Sequence, residues 1–111
     1  YALVKGNLGV AYRILAEQEI SPDATFVRSA DTLNGALSLL KEQSVWDKYA
    51  EFLVELGRTH ESSAGRGTRD RIHEQAARAA YEEALSVGRE RNIRGDLVDI
   101  ASSRLKALER E

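Results

Sequence analysis

This sequence predicts an all-α fold, a solenoid of antiparallel helix-pair repeats with about five helices, and three observations carry that expectation. Apolar residues recur at helical spacing along most of the chain, and nothing alternates as a strand would. One proline and a handful of capping residues cut the helical stretches into segments of ordinary length. Sliding the chain against itself by 48 residues superposes Tyr1 on Tyr49, Ala2 on Ala50, Leu8 on Leu56, Gly9 on Gly57 and Ala16 on Ala64. The same step superposes Ala36 on Ala84, Leu37 on Leu85, Ser38 on Ser86 and Glu42 on Glu90. Self-similarity at a fixed period is the mark of stacked repeats, because one helix pair cannot bury its apolar face alone.

The first helix is predicted over about residues 2–18, with Val4, Leu8, Ala11, Tyr12 and Leu15 as its inward stripe. Ser21 followed by Pro22 reads as an N-cap and a first-turn proline, opening a second helix on Phe26, Ala30, Leu33, Leu37 and Leu40. Ser44 and Asp47 have the spacing of a capping box, which starts a third helix with Tyr49, Leu53 and Leu56 inward. The segment from Glu61 to Thr68 is rich in Ser and Gly, so a break is predicted there. Thr68 is a candidate cap for a fourth helix on Ile72, Ala76, Ala80, Ala84 and Val87. Asn92 is a candidate cap for a fifth, carrying Ile93, Leu97, Ile100, Ala101, Leu105 and Leu108. The expected organisation is one domain over 1–111: a repeat over about 1–43, a second over about 44–91, and a capping helix over about 92–111.

Leu8, Gly9 and Tyr12, repeated as Leu56, Gly57 and His60, resemble the first helix of a tetratricopeptide repeat. Ala77, Tyr81, Ala84 and Leu85 are similar to the second helix of that family, and Ser29, Leu33, Ala36 and Leu37 are a looser copy. The step of 48 exceeds the 34 residues usual in the family, so the helices or their loops are lengthened. The resemblance implies a TPR-like solenoid that recognises a peptide or a partner protein, and places the groove mainly on the first helix of each pair. Carried over position by position, it puts Asn7, Val10 and Arg13 there in the first unit and Glu55, Arg58 and Glu61 in the second. One further step adds Ser103 and Lys106. These do not reproduce the lysine and asparagine set with which chaperone-binding members hold a carboxylate, but Arg13, Arg58 and Lys106 suit an acidic or phosphorylated segment.

Composition narrows the function classes. Sixteen basic residues against eighteen acidic ones leave a net charge of −2, which argues against nucleic acid or an anionic membrane as a partner of the whole chain. There is no cysteine, no apolar run near the roughly 18 residues of a membrane span, and no signal-peptide pattern, so a cytoplasmic protein without disulfides is expected. A chain that begins at Tyr1 and contains no methionine reads as a piece of something longer.

No residue set recommends an enzyme, and no cofactor or metal is expected. His73 and Glu74 begin a helical zinc-protease motif, but Ala77 stands where its second histidine belongs. His60 reads as a substituted packing position, and Trp46 and Tyr49 as packing residues before ligand platforms. Arg66, Arg69, Arg71 and His73 concentrate positive charge around a glycine-bearing loop and a helix start, which suits a phosphate or RNA. Asp70 and Glu74 dilute that charge and no aromatic is interleaved, so a solvated loop is favoured. The leading expectation is a protein-binding scaffold. Its competitors are a nucleic-acid or phosphate module using the arginine loop 66–73, and a purely oligomerising regulatory domain in which the fifth helix meets a second copy.

Overall fold

The computed structural model describes residues 1–20, 23–64, 71–93 and 95–109, the last by its backbone alone. Within them the chain forms five helices and no strand: α1 (Ala2–Glu17), α2 (Asp23–Glu42), α3 (Trp46–Ala64), α4 (Arg71–Glu90) and α5 (Leu97–Glu109). Consecutive helices pack together, α1 touches α3, and α3 touches α5, while α2 and α4 make no close approach. The helices therefore lie in two layers, α1, α3 and α5 in one and α2 and α4 in the other. The short dimension of 20 Å is two helix diameters.

Small residues set the spacing within each pair. A side chain on Gly9 would meet Leu33 at 2.6 Å, and one on Gly57 would meet Tyr81 at the same distance. Leu33 and Tyr81 are themselves 48 residues apart and both fully buried, so the two pairs share one joint with different fillers. The first joint also has a polar latch. The Ser29 hydroxyl donates to the Gly9 carbonyl at 2.7 Å and lies 3.0 Å from Thr59 Oγ1, tying α1, α2 and α3 together. Ala36 and Ala84, again one step apart, are completely buried.

The ends of α2 and α4 correct two expectations. Ser44 and Asn92 do not cap the following helices; both have positive φ, 56° and 52°, and terminate the preceding ones. In α2 the Ser44 N–H reaches the Lys41 carbonyl and the Val45 N–H the Leu40 carbonyl; in α4 the Asn92 and Ile93 N–H groups reach Arg89 and Gly88. This is the Schellman arrangement, which satisfies carbonyls left over at a helix end and requires a left-handed residue. Ser44 and Asn92 are 48 residues apart, so the stop signal belongs to the repeat. As a consequence α5 begins only at Leu97.

Other expectations shift as well. α3 continues through Glu61, Ser62 and Ser63 to Ala64, because Glu61 and Ser62 are held by bonds to other helices. Ser21, Pro22 and Thr68 lie outside the described residues. The stripes of α2 and α3 are buried as predicted, but α1 is turned the other way: Ala2, Gly6, Gly9 and Ala16 are its buried residues, while Val4, Leu8, Ala11 and Leu15 are exposed. Its small residues let α2 and α3 approach closely, and a side chain at Gly6 would strike the Phe52 ring. Ile72 of α4 is exposed too. No helix among the described residues is long and apolar enough to cross a membrane.

Candidate functional site

The layer formed by α1, α3 and α5 carries a polar network, and four of the predicted groove residues meet in it. Glu55 bridges two arginines: Arg13 Nη2 donates to one of its carboxylate oxygens at 3.0 Å and Arg58 Nη1 to the other at 3.1 Å. Arg13 also reaches Glu17, at 3.2 Å, one turn along α1, and Ser62 Oγ donates to the same Glu17 carboxylate at 2.7 Å. Glu61 accepts a hydrogen bond from the Tyr81 hydroxyl at 2.7 Å and faces Arg104 of α5 at 3.7 Å. Tyr81 is buried beneath this carboxylate, and burial first, then the bond to Glu61, raises its phenol far above the ordinary value.

Between these side chains lies an open cavity of about 350 Å³, lined by Arg13, Glu17, Arg58, Glu61, Ser62 and Arg104. Three arginines stand against three glutamates once Glu55 is included, so the network is close to neutral. Its donors are not exhausted, however. The Nε atoms of Arg13 and Arg58 are buried and have no hydrogen-bond partner among the described residues. A buried donor left unpaired is costly, on the order of 1–3 kcal/mol, so these two atoms single out this place on the surface.

The other predicted positions fall elsewhere. Asn7 sits on the exposed side of α1, Val10 is half-buried against the core, and Ser103 and Lys106 are exposed on α5 without joining the network. Arg104, which the 48-residue step passed over, is the arginine that α5 contributes. One helix position is 100° of rotation, so a step that is off by one or two residues in a short terminal helix selects the wrong face.

A second cluster was not foreseen. His60 of α3 and His73 of α4 bring their Nδ1 atoms to 3.0 Å, with ring centroids 5.2 Å apart, so His60 packs against a second histidine. One ring donates and the other accepts. His60 is held below the usual imidazole range, by burial first and then by the charge of His73. Two imidazoles do not complete a metal set, and among the described residues no group of three or more His, Cys, Asp or Glu side chains is placed to hold an ion. Of the arginine loop, Arg66, Arg69 and Asp70 lie outside the described residues, and Arg71 is exposed at the start of α4.

On the opposite layer, a cavity of about 450 Å³ runs between α2 and α4 over α3, floored by Tyr49, Leu53, Leu56 and His60. At one end Tyr49 donates to Glu83, and burial together with that carboxylate pushes its phenol up to about 12. Trp46 packs edge-on against Tyr49, ring centroids 5.4 Å apart, and carries the Arg91 guanidinium over its face at 4.4 Å, so both aromatics serve packing. No family model, curated protein or solved structure matches this chain.

Proposed function

We propose that this chain is a non-catalytic, TPR-like scaffold that holds an acidic segment of a partner protein against the layer of α1, α3 and α5. The observation that carries the reading is the open cavity lined by Arg13, Arg58 and Arg104, with the Arg104 guanidinium about half exposed beside it. Carboxylates or phosphates of a bound segment supply acceptors in the planar geometry that guanidinium groups recognise. The step from stacked helix pairs to partner binding is an argument from fold, since such stacks offer extended surfaces.

The test pans a displayed library of unstructured peptides against the chain and measures the winners by fluorescence anisotropy. Reversing Arg13 or Arg58 also breaks the bridge to Glu55, so Arg104→Glu is the cleaner probe: its side chain is 48% exposed and holds Glu61 loosely, at 3.7 Å. The expected result is an acidic consensus whose Kd weakens more than about tenfold, roughly 1.4 kcal/mol, in Arg104→Glu. Arg69→Glu on the loop should leave the Kd unchanged. Winners without acidic residues, or binding lost in Arg69→Glu and kept in Arg104→Glu, would overturn this reading and move the site to the loop.

A further inference from the structure

The three arginines of the cavity are not equivalent. Arg13 is 13% exposed and has both terminal nitrogens engaged inside the network, Nη1 on Glu17 and Nη2 on Glu55. Among the described residues Arg58, 33% exposed, gives one terminal nitrogen, Nη1, to Glu55. Arg104, 48% exposed, meets Glu61 at 3.7 Å, beyond hydrogen-bond reach. A guanidinium carries N–H donors on all three of its nitrogens, so the two outer arginines keep donors for a ligand while the inner one is committed to the network.

The carboxylates lining the cavity are held by hydroxyls as well as by arginines. Ser62 Oγ donates to Glu17 and the Tyr81 hydroxyl to Glu61, each at 2.7 Å. Both carboxylates therefore stay in place when a ligand enters, and an acidic ligand must compete with them for the guanidinium groups. A carboxylate side chain competes on equal terms, exchanging one charge and two oxygens for the same. Glu55 shows how far two oxygens reach: each makes one bond, one to Arg13 and the other to Arg58. A phosphorylated side chain brings more charge, about −1.5 to −2 at neutral pH, and three strong acceptor oxygens. With the third oxygen it can keep a two-bond fork on one arginine and still reach the second.

We propose that the acidic group taken by this cavity is a phosphorylated serine or threonine of the partner segment, gripped by Arg58 and Arg104. This rests on the cavity being the binding site, and adds the chemical class of the group bound there. It also gives binding a pH dependence of its own. The second ionisation of a phosphate monoester lies near pH 6, so the grip weakens as the bound phosphate takes up a proton, whereas a glutamate in the same place stays ionised.

Fluorescence anisotropy of the 111-residue chain tests it, with three peptides built on the acidic consensus of the display winners and differing only at its central acidic position: serine, glutamate or phosphoserine. At about pH 7.5 the phosphoserine peptide should bind at least about tenfold more tightly than the glutamate peptide, and the advantage should shrink at about pH 5.5. Arg104→Lys keeps the charge but loses the fork, so it should weaken the phosphoserine peptide more than the glutamate peptide, with helical circular dichroism unchanged. Inorganic phosphate alone, measured by competition, should bind at least about a hundredfold more weakly than the phosphoserine peptide. Equal affinity would assign the cavity to a free phosphate and overturn the assignment to a segment. A phosphoserine peptide no tighter than its glutamate counterpart overturns the phosphate and leaves the acidic-segment reading standing. Panning that yields no acidic consensus removes both.

Discussion

α1 and α3 occupy the same place in the 48-residue repeat and meet opposite environments. Leu8 and Leu56 sit at equivalent positions, each one residue before a glycine that admits the second helix of its pair, yet Leu8 is 47% exposed and Leu56 8%. The difference does not come from the residues, which are the same, but from what lies on the far side: α3 has a helix pair above it and α1 does not. An apolar stripe therefore records that a face is built to be covered, and says nothing about whether the cover is present. The comparison can be broken directly with matched substitutions. Leu56→Glu buries a carboxylate with no partner, at a cost of several kcal/mol against a total stability on the order of 5–15, and should leave the chain largely unfolded. Leu8→Glu should lower the unfolding free energy measured by urea titration by no more than about 0.5 kcal/mol. Comparable losses at the two positions would mean that α1 is covered after all.

A finer comparison uses Ala36 and Ala84, equivalent and both fully buried. Enlarging either to leucine should overpack its helix pair by about 1–3 kcal/mol, seen as a drop in Tm of several degrees. Equal losses mean that the two joints are equally tight although one is filled by Leu33 and the other by Tyr81. A neutral Ala36→Leu beside a costly Ala84→Leu would show the first pair to be the looser of the two.

The sequence made the fold legible where one residue has one physical use. A buried leucine stripe such as that of α2, or a glycine facing a large side chain, leaves little choice. It misled where a residue type serves two ends of a helix. Ser and Asn are good N-caps, so Ser44 and Asn92 read as starts, although Asn also tolerates the left-handed conformation of a stop, which both residues adopt. Of the candidate site, Arg13, Glu55, Arg58 and Glu61 are named by carrying over the tetratricopeptide groove pattern, aligned on Leu8 and Leu56, which also names Asn7, Val10, Ser103 and Lys106 outside the network. Arg104 and the contact of His60 with His73 were invisible. Each depends on the rotation of one helix against another, which no local pattern encodes.

The two stop residues themselves give the third test. Serine adopts positive φ less readily than asparagine, whose side chain supports that conformation, and glycine adopts it freely. Ser44→Gly should raise stability by about 1 kcal/mol, and Asn92→Gly by a few tenths at most. Thermal unfolding of the two variants side by side measures the difference. A loss of stability in Ser44→Gly would show its hydroxyl to matter more than its backbone.

The smallest expected effect concerns protons. The residue 48 positions before His60 is Tyr12, so only the second unit places an imidazole at this point of the repeat. His60 is held below its ordinary 6.5 by burial and by His73, which means the folded chain takes up that proton less readily than the unfolded chain. The unfolded state then binds more protons below pH 6.5, so the contribution of His60 to stability is complete above that pH and is lost as the pH falls from there towards its folded value. His60→Tyr installs the residue of the first unit and should flatten the dependence. Urea midpoints at about pH 7.5 and pH 5 should fall further in the original chain than in the variant, once the slope common to both is removed. Parallel curves would assign the acid sensitivity to other groups and leave the two histidines as a packing contact.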